Sequence, residues 1–386
     1  MIKQSQLISF IFIFLTIYGG LNLYFLQRLR AAFRIESSFL ILIVMFLILV
    51  ICSHFISRLL RGHHYISIVS AYIGNIWMGL LLMFIAAAFP MEIYRFLVFI
   101  IGKGLSVDIS FIIPTKRQLF LIPMTLSIII FIYGWFEARN IGIVRVEIKT
   151  HRLPINKLRI VQITDVHLGL MSHDGRLNRI LAKVKECNGD ILVSTGDLLD
   201  AEVNDNSEYI ELFKQINPIY GKFAVMGNHE FYVGTEQSLE FADNAGFRVL
   251  RSEVVNIAGI INIAGVDDNR AMKFAKTKNN SELDFLRMKN NGAQSAVEQF
   301  TVFLKHQPIV NDNSKELINL QLSGHTHDGQ FFPYSLFTHL FYPIHCGLTK
   351  LDKELYIYLN RGSGTWGPPI RFLAQPEVTV IDIVRE

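Results

Sequence analysis

The feature that most constrains this chain is a series of four long apolar runs in its first third. They cover residues 7–26, 39–56, 70–89 and 118–136, and residues 91–101 are also apolar, so the third helix could end later. An α-helix needs about 20 apolar residues to cross a hydrocarbon core of roughly 30 Å, and each run approaches that length. Four runs in series, with Arg and Lys between them, favour membrane helices over helices buried in a soluble domain. We therefore predict about four transmembrane helices within residues 1–137.

The charges around these runs bear on membrane topology. No small-residue cleavage site follows Leu26, so we interpret the first run as an uncleaved helix. The first and third loops carry 6 Lys and Arg residues, and the opposite side carries 5. Because positive charges stay preferentially in the cytoplasm, this count favours a globular domain outside the cytoplasm. A margin of one charge does not decide the membrane side.

Composition supports the same division of the chain. Hydrophobic residues make up 51% and charged residues 18%, whereas an average domain is about a quarter charged. The apolar excess lies almost entirely before residue 137. The formal net charge is only +4, and no basic stripe marks a nucleic-acid binder. Cys52, Cys187 and Cys346 form no C-x-x-C pair, so neither a disulfide framework nor a thiolate zinc site is indicated.

Beyond residue 137, short apolar runs alternate with amphipathic segments. This alternation predicts a layered α/β fold. The predicted helices are residues 176–187, 208–216, 237–245 and 281–288. The predicted strands are residues 143–148, 158–164, 191–195, 222–226, 260–266, 301–305, 318–323, 355–359 and 378–384. We assign 138–156 to a linker with the first strand, and 157–386 to the globular domain.

Five polar segments each begin where one of these strands ends. They are Asp165-Val166-His167, Gly196-Asp197, Gly227-Asn228-His229-Glu230, His306 and Gly324-His325-Thr326-His327. Functional sites of α/β sheets gather outside the carboxyl ends of the strands, so we expect the five segments to converge.

The residue types in these segments suit a pair of divalent metal ions. Carboxylates, imidazoles and an amide oxygen are ligands for Zn, Mn or Fe, and the sequence does not choose among the three. The spacing of Asp165 and His167 lets an extended segment present both side chains on one face. Among the candidate ligands only Asp165 and Asp197 are carboxylates, so two bound divalent ions would leave the site positive. A positive site attracts a phosphate anion and stabilises the negative charge that builds in its transition state.

In their residues and their order, the five segments resemble the calcineurin-like metallophosphoesterases, whose pattern is D-x-H, G-D, G-N-H-[DE], H and G-H-x-H. The resemblance runs from Leu158 to the last residues. Residues 361–369 (R-G-S-G-T-W-G-P-P) are similar to a membrane-associated bacterial branch, which usually has glycine where this chain has Asp328. The resemblance implies a two-sheet β-sandwich flanked by helices, and an integral protein of the bacterial inner membrane.

The resemblance also implies seven metal ligands, three for each of two ions and one shared. The sets are Asp165, His167 and His327 for one ion, and Asn228, His306 and His325 for the other. Asp197 would be shared. His229 would serve the leaving oxygen, with Glu230 orienting it, while a metal-bridging hydroxide attacks phosphorus. Of two nearby residues, we expect Asp200 to be a turn or supporting residue and Arg371 to lie on the surface.

The resemblance implies hydrolysis of a phosphomonoester, phosphodiester or pyrophosphate. Ala201 stands where phosphoprotein phosphatases of this fold carry arginine, which disfavours that branch. The membrane helices associate the activity with a lipid-linked or envelope-derived substrate, although they could merely tether the domain. The alternative is a membrane-anchored metal-binding scaffold or sensor without catalysis. His229 speaks against it, because a residue that binds no metal has no evident purpose without chemistry.

Overall fold

The computed structural model describes residues 4–60, 64–172, 175–200, 207–268 and 299–386. The chain forms two compact units. One comprises residues 1–136 with 367–370, and the other comprises 137–366 with 371–386. The helix predicted over residues 281–288 lies outside the described residues.

The first unit is helical. Its α-helices are α1 (Gln4–Ala32), α2 (Ser37–Leu59), α3 (His64–Leu105) and α4 (Gln118–Glu137), with a 3-10 turn at Ser110–Ile112. Among the described residues, three stretches are long and apolar enough to cross a membrane: Ser37–Ser57, Tyr65–Leu105 and Gln118–Glu137. The predicted count of about four is not confirmed.

Helix α3 is longer than the predicted run of 70–89. It continues through Pro90 to Leu105, because residues 91–101 are also apolar. A proline is tolerated in a membrane helix when neighbouring groups satisfy the freed backbone carbonyl.

Polar contacts between α1 and α3 fix these two helices against each other. The Trp77 indole donates a hydrogen bond of 2.8 Å to the Asn22 side-chain oxygen. The Tyr24 hydroxyl donates to Glu92 at 3.0 Å, and Arg28 forms an ion pair with the same carboxylate.

The second unit contains two sheets, each of six strands among the described residues. The first holds β1 (Gly142–Thr150), β2 (Lys157–Ile163), β3 (Ile191–Ser194), β4 (Lys222–Ala224), β5 (Phe247–Val249) and β12 (Glu377–Arg385). The second holds β6 (Glu253–Ile257), β7 (Ile261–Val266), β8 (Thr301–Lys305), β9 (Leu320–Ser323), β10 (Gly347–Lys350) and β11 (Tyr356–Leu359). The expected α/β architecture with two sheets is therefore confirmed.

Helices and turns connect these strands. The α-helices are α5 (Arg176–Cys187), α6 (Ser207–Lys214), α7 (Asn228–Val233), α8 (Thr235–Asn244) and α9 (Ser335–Phe341). Two 3-10 turns lie at Asp312–Leu317 and His327–Gly329.

Strand order places β12 inside the first sheet. The order is β1-β12-β2-β3-β4-β5 in that sheet and β10-β11-β9-β8-β7-β6 in the other. β12 runs parallel to β1 and antiparallel to β2. β2 to β5 are mutually parallel, as are β7, β8, β9 and β11. The polar segments that follow these strands therefore lie at the same edge of each sheet.

The apolar residues of β2 show how the layers are held. Leu158 and Ile160 belong to a buried cluster that joins both sheets. The alternate residues Val161 and Ile163 belong to a second cluster with α5 and α8. Since successive side chains of a strand point to opposite faces, a strand buried on both faces needs a nearly continuous apolar run. This packing leaves the polar residues after the strands at the edge of the layers.

Candidate metal centre

The five polar segments follow five strands drawn from both sheets. Asp165 and His167 follow β2, and Asp197 follows β3. Asn228, which follows β4, is the first residue of α7. His306 follows β8, while His325 and His327 follow β9. The site is therefore assembled from residues that lie far apart in the chain and meet only when the two sheets pack together.

The backbone of this site is unusual. Five non-glycine residues have positive φ angles: Asp165 (52°), His167 (52°), Asp197 (55°), His325 (74°) and His327 (51°). The backbone of a residue other than glycine rarely adopts this left-handed region. Such conformations cluster at active sites, where the surrounding structure enforces them.

A first group joins Asp165, His167 and His327. The Nε2 atoms of the two imidazoles lie 3.1 Å apart. Asp165 Oδ1 is 3.4 Å from Nε2 of His327 and 3.9 Å from Nε2 of His167. All three side chains are buried, so their ligand atoms face one another rather than solvent.

A second group joins Asp197, His306 and His325, with Asn228 beside it. His306 Nε2 lies 3.2 Å from Asp197 Oδ2, 3.2 Å from Asn228 Oδ1 and 3.1 Å from His325 Nδ1. The other ring nitrogen of His306 donates to the Thr195 carbonyl at 2.8 Å. A neutral His306 therefore directs an unprotonated Nε2 toward oxygen and nitrogen atoms that are themselves acceptors.

This clustering of acceptors favours a positive charge at Nε2 of His306. Burial lowers the pKa of His306, but the adjacent Asp197 carboxylate outweighs it and holds the pKa well above its usual range. A proton or a metal ion could supply that charge, and imidazole, carboxylate and amide ligands suit a divalent ion. The donor set therefore fits a metal site.

Asp197 connects the two groups. Its Oδ2 lies 3.2 Å from His306 and 3.8 Å from His167 Nε2. Its Oδ1 accepts a hydrogen bond of 2.9 Å from the backbone amide of His229. One carboxylate oxygen thus faces both groups while the other is held by the backbone.

His229 lies beside the first group and has Asp200 as its carboxylate partner. His229 Nδ1 is 2.8 Å from Asp200 Oδ1. Burial lowers the pKa of His229, but Asp200 and the nearby Asp197 and Glu230 carboxylates outweigh burial and raise the pKa to about 9. The ring is also 4.7 Å, between centroids, from His167. These contacts equip His229 to hold a proton next to the clustered ligands.

Glu230, which the resemblance implied would orient His229, contacts backbone amides instead. Its carboxylate accepts backbone hydrogen bonds from Asp197 (3.0 Å), Leu199 (3.1 Å) and Gly227 (2.8 Å). It thereby ties the loop after β3 to the loop after β4. The resemblance gave the orientation of His229 to Glu230, whereas the carboxylate that lies at His229 Nδ1 is that of Asp200. The only sequence signal for this was the proximity of Asp200 to the Gly196-Asp197 motif.

Arg371 is fully buried beside the site. Its guanidinium donates to the carbonyl oxygens of Arg361 (2.8 Å), His327 (3.0 Å) and Gly364 (2.5 Å). Its Nη2 also lies 3.1 Å from His327 Nδ1. The expectation of a surface arginine is wrong, because backbone carbonyls replace water around this charge. The sequence signal for a tightly packed segment here was the glycine-rich run of residues 361–369. Gly364 lies so close to the neighbouring backbone that a side chain there would collide with the Val166 carbonyl.

Comparison with known proteins agrees with the motifs. The family pattern described as calcineurin-like phosphoesterase matches residues 158–329. An uncharacterized metallophosphoesterase of Aquifex aeolicus (strain VF5) is 34% identical over 262 residues, 67% of this chain and 98% of the relative. An uncharacterized metallophosphoesterase of Helicobacter pylori (strain ATCC 700392 / 26695) is 28% identical over 375 residues, 89% of this chain and 98% of the relative.

A vertebrate relative shares the same region. A "transmembrane protein with metallophosphoesterase domain" of Danio rerio is 30% identical over 275 residues, 67% of this chain and 61% of that protein. The Aquifex aeolicus relative is 34% identical and matches 67% of this chain and 98% of its own length. This chain therefore belongs to the calcineurin-like phosphoesterase family.

Proposed function

We propose that this protein is a membrane-anchored phosphoesterase that uses two divalent metal ions. Asp165, His167 and His327 would hold one ion. The second ion would be held by Asn228, His306 and His325, with Asp197 shared. The observation that carries this proposal is the pair of clusters Asp165/His167/His327 and Asp197/His306/His325, within each of which the ligand atoms lie within 4.8 Å of one another.

The charge of this donor set supports a phosphate substrate. Two divalent ions bring four positive charges, and the proposed ligands include two carboxylates, so the site stays positive. When bound, such a pair of ions lowers the pKa of water and stabilises the charge that builds on phosphate during displacement. Mn, Zn and Fe all fit imidazole and carboxylate ligands.

His229 and Asp200 would serve the leaving group. Asp200 lies at Nδ1 of His229, so Nε2 is the nitrogen left to donate a proton to the departing oxygen. The carboxylate keeps the ring oriented and favours its protonated form, which is the form a general acid needs. A residue of this kind distinguishes an active phosphoesterase from a metal-binding scaffold.

The helical unit would anchor this domain to a membrane. Helix α1, with its apolar run 7–26, would be the fourth crossing beside the three apolar stretches. The excess of 6 over 5 flanking positive charges favours a catalytic domain outside the cytoplasm. The substrate would be a phosphomonoester, phosphodiester or pyrophosphate, and a lipid-linked or envelope-derived ester fits the anchor.

The test is hydrolysis by the full-length protein in detergent. Bis-p-nitrophenyl phosphate and p-nitrophenyl phosphate would be supplied with Mn, with Zn or with a chelator, and metal content would be measured in parallel. We expect metal-dependent turnover that falls at least about 100-fold in Asp197→Asn, because the shared ligand loses its charge. The matched control is Asp243→Asn, which changes a carboxylate of α8 outside both clusters.

The outcomes separate the two candidate functions. Turnover without metal, or equal turnover in Asp197→Asn, would refute the metal-dependent mechanism. Two bound ions per chain with no turnover of either ester would favour the scaffold or sensor instead.

A further inference from the structure

Two exposed aromatic side chains stand next to His229. The Trp366 indole is 54% exposed and the Tyr232 ring 59% exposed. Their centroids lie 5.6 Å and 5.4 Å from the His229 imidazole, at interplanar angles of 74° and 70°. Because the rings meet the imidazole at steep angles, neither is stacked flat on it. Exposed aromatic surface beside polar groups is typical of ligand-binding sites.

Trp366 is held in place by its backbone. The Gln330 side chain accepts a hydrogen bond from the Trp366 amide at 2.8 Å and donates one to the Trp366 carbonyl at 2.9 Å. The Arg176 guanidinium donates to the preceding carbonyl, of Thr365, at 3.1 Å. Gln330 and Arg176 are both buried. The exposed indole therefore projects from a fixed backbone, which reduces the entropy that a ligand would have to remove.

The two rings lie next to the imidazole that would protonate the leaving group. Asp200 occupies the Nδ1 side of His229, so a departing oxygen would be served at Nε2. Whatever is attached to that oxygen must pass close to the imidazole, where Trp366 and Tyr232 stand. Aromatic faces bind other flat rings by stacking, and they bind the C–H faces of sugars through apolar contact.

We propose that Trp366 and Tyr232 form a leaving-group subsite that accepts a ring, either a sugar or an aromatic group, joined to phosphate through the ester oxygen. This inference rests on the proposed role of His229. It narrows the substrate class to phosphoesters of ring-bearing alcohols, in preference to simple alkyl phosphates.

The test compares phenyl phosphate, glucose 1-phosphate and ethyl phosphate as substrates of the full-length protein. Each variant is compared with the wild type on the same substrate, so that differences in intrinsic reactivity cancel. We expect Trp366→Leu to lower kcat/KM for the ring-bearing esters by roughly 5- to 150-fold, the range of aromatic stacking. Ethyl phosphate should change less than about twofold, since it gains little from stacking. Trp366→Phe should restore most of the loss.

A matched control removes exposed apolar surface elsewhere. Ile219 is 77% exposed and precedes β4, at the end of that strand opposite the site. Ile219→Ala should leave all three substrates unchanged. Equilibrium binding of phenylphosphonate and ethylphosphonate, measured by calorimetry, tests the subsite without turnover. Trp366→Leu should weaken only the phenyl compound.

Each outcome decides the proposal. Loss confined to phenyl phosphate or to glucose 1-phosphate supports the subsite and identifies the ring. An equal loss on all three substrates, or no loss on any, overturns it. A wild type that hydrolyses none of these monoesters, and neither p-nitrophenyl phosphate nor bis-p-nitrophenyl phosphate with any metal, refutes the proposed function. In that case, preferential phenylphosphonate binding that depends on Trp366 would still support the subsite, and equal binding would reject it.

Discussion

Replacing Glu230 tests whether its carboxylate supports the site or takes part in chemistry. Oε2 accepts hydrogen bonds from the amides of Asp197 and Gly227, and Oε1 accepts one from Leu199. Glu230 is buried, with 5% of its surface exposed. Its removal leaves three amides without their acceptor, whereas Glu230→Gln keeps one oxygen and sets an NH2 group against one amide.

The expected loss of stability follows from these three bonds. A buried donor left unsatisfied costs about 1–3 kcal/mol. Glu230→Gln should therefore lower the free energy of unfolding by about 1–3 kcal/mol, and Glu230→Ala by about three times as much. For a domain of this size, 1 kcal/mol shifts Tm by about 2–4 °C. We expect Tm to fall by roughly 5 °C in the glutamine variant and by at least about 10 °C in the alanine variant.

The assay is heat-induced unfolding of the full-length protein in detergent, with hydrogen exchange of the peptides that cover residues 196–199 and 227. Faster exchange at those amides should accompany the fall in Tm. The control is Glu211→Gln, an exposed carboxylate on α6 that pairs with Lys214. It should change stability by less than about 0.5 kcal/mol. If Glu230→Gln matched this control in Tm and exchange yet lost turnover, our structural role for Glu230 would be refuted.

Three further predictions follow from the described contacts. Asp200→Asn should lower kcat by about 10- to 100-fold, because it removes the carboxylate that lies 2.8 Å from His229 Nδ1 and 3.6 Å from Nδ1 of the proposed ligand His167; wild-type kcat at equal metal content would contradict this. Arg371→Met should lower the free energy of unfolding by at least about 1–3 kcal/mol, because the buried carbonyl oxygens of Arg361, His327 and Gly364 lose their donor, and Arg371→Lys by less; a Tm equal to that of the wild type would contradict this. Burial raises the pKa of Asp382, but the hydrogen bond and charge of Arg159 outweigh it and lower the pKa. The stabilisation by Asp382, about 1 kcal/mol or less, should be complete above its unfolded value of 3.8 and disappear as pH falls through the lower folded value. The Tm difference between wild type and Asp382→Asn should therefore shrink between pH 6 and pH 3, and a growing difference would reverse the assigned sign.

Much of the fold was accessible from local patterns. The alternation of short apolar runs with amphipathic segments indicated α/β layers, because strands buried on both faces need continuous apolar residues. The proximity of Asp165 and His325 in space follows from the positions of both residues directly after strands. Their backbone contact, in which the His325 amide donates to Asp165 Oδ2 at 2.9 Å, depends on the packing of two sheets and has no local signature.

The missed features are long-range ones. The burial of Arg371 depends on carbonyl groups of a loop that begins 10 residues earlier at Arg361, which no periodicity reveals. The pairing of Asp200 with His229 depends on how two loops run after their strands. The length of α3 was only partly predicted: the apolar residues 91–101 allowed the third helix to end later than residue 89, and it extends through Pro90 to Leu105.

The position of β12 has a consequence for how the chain folds. This strand lies between β1 and β2, and it pairs with both along most of its length, for example Ile381 with Val146 and with Ile160. Both partners precede β12 in the chain, and among the described strands β1 pairs in this sheet only with β12, so β1 cannot join the sheet before β12 does. Long-range pairing of this kind is slow and leaves strand edges exposed to wrong partners. The first sheet is therefore completed only when residues 377–385 insert between β1 and β2.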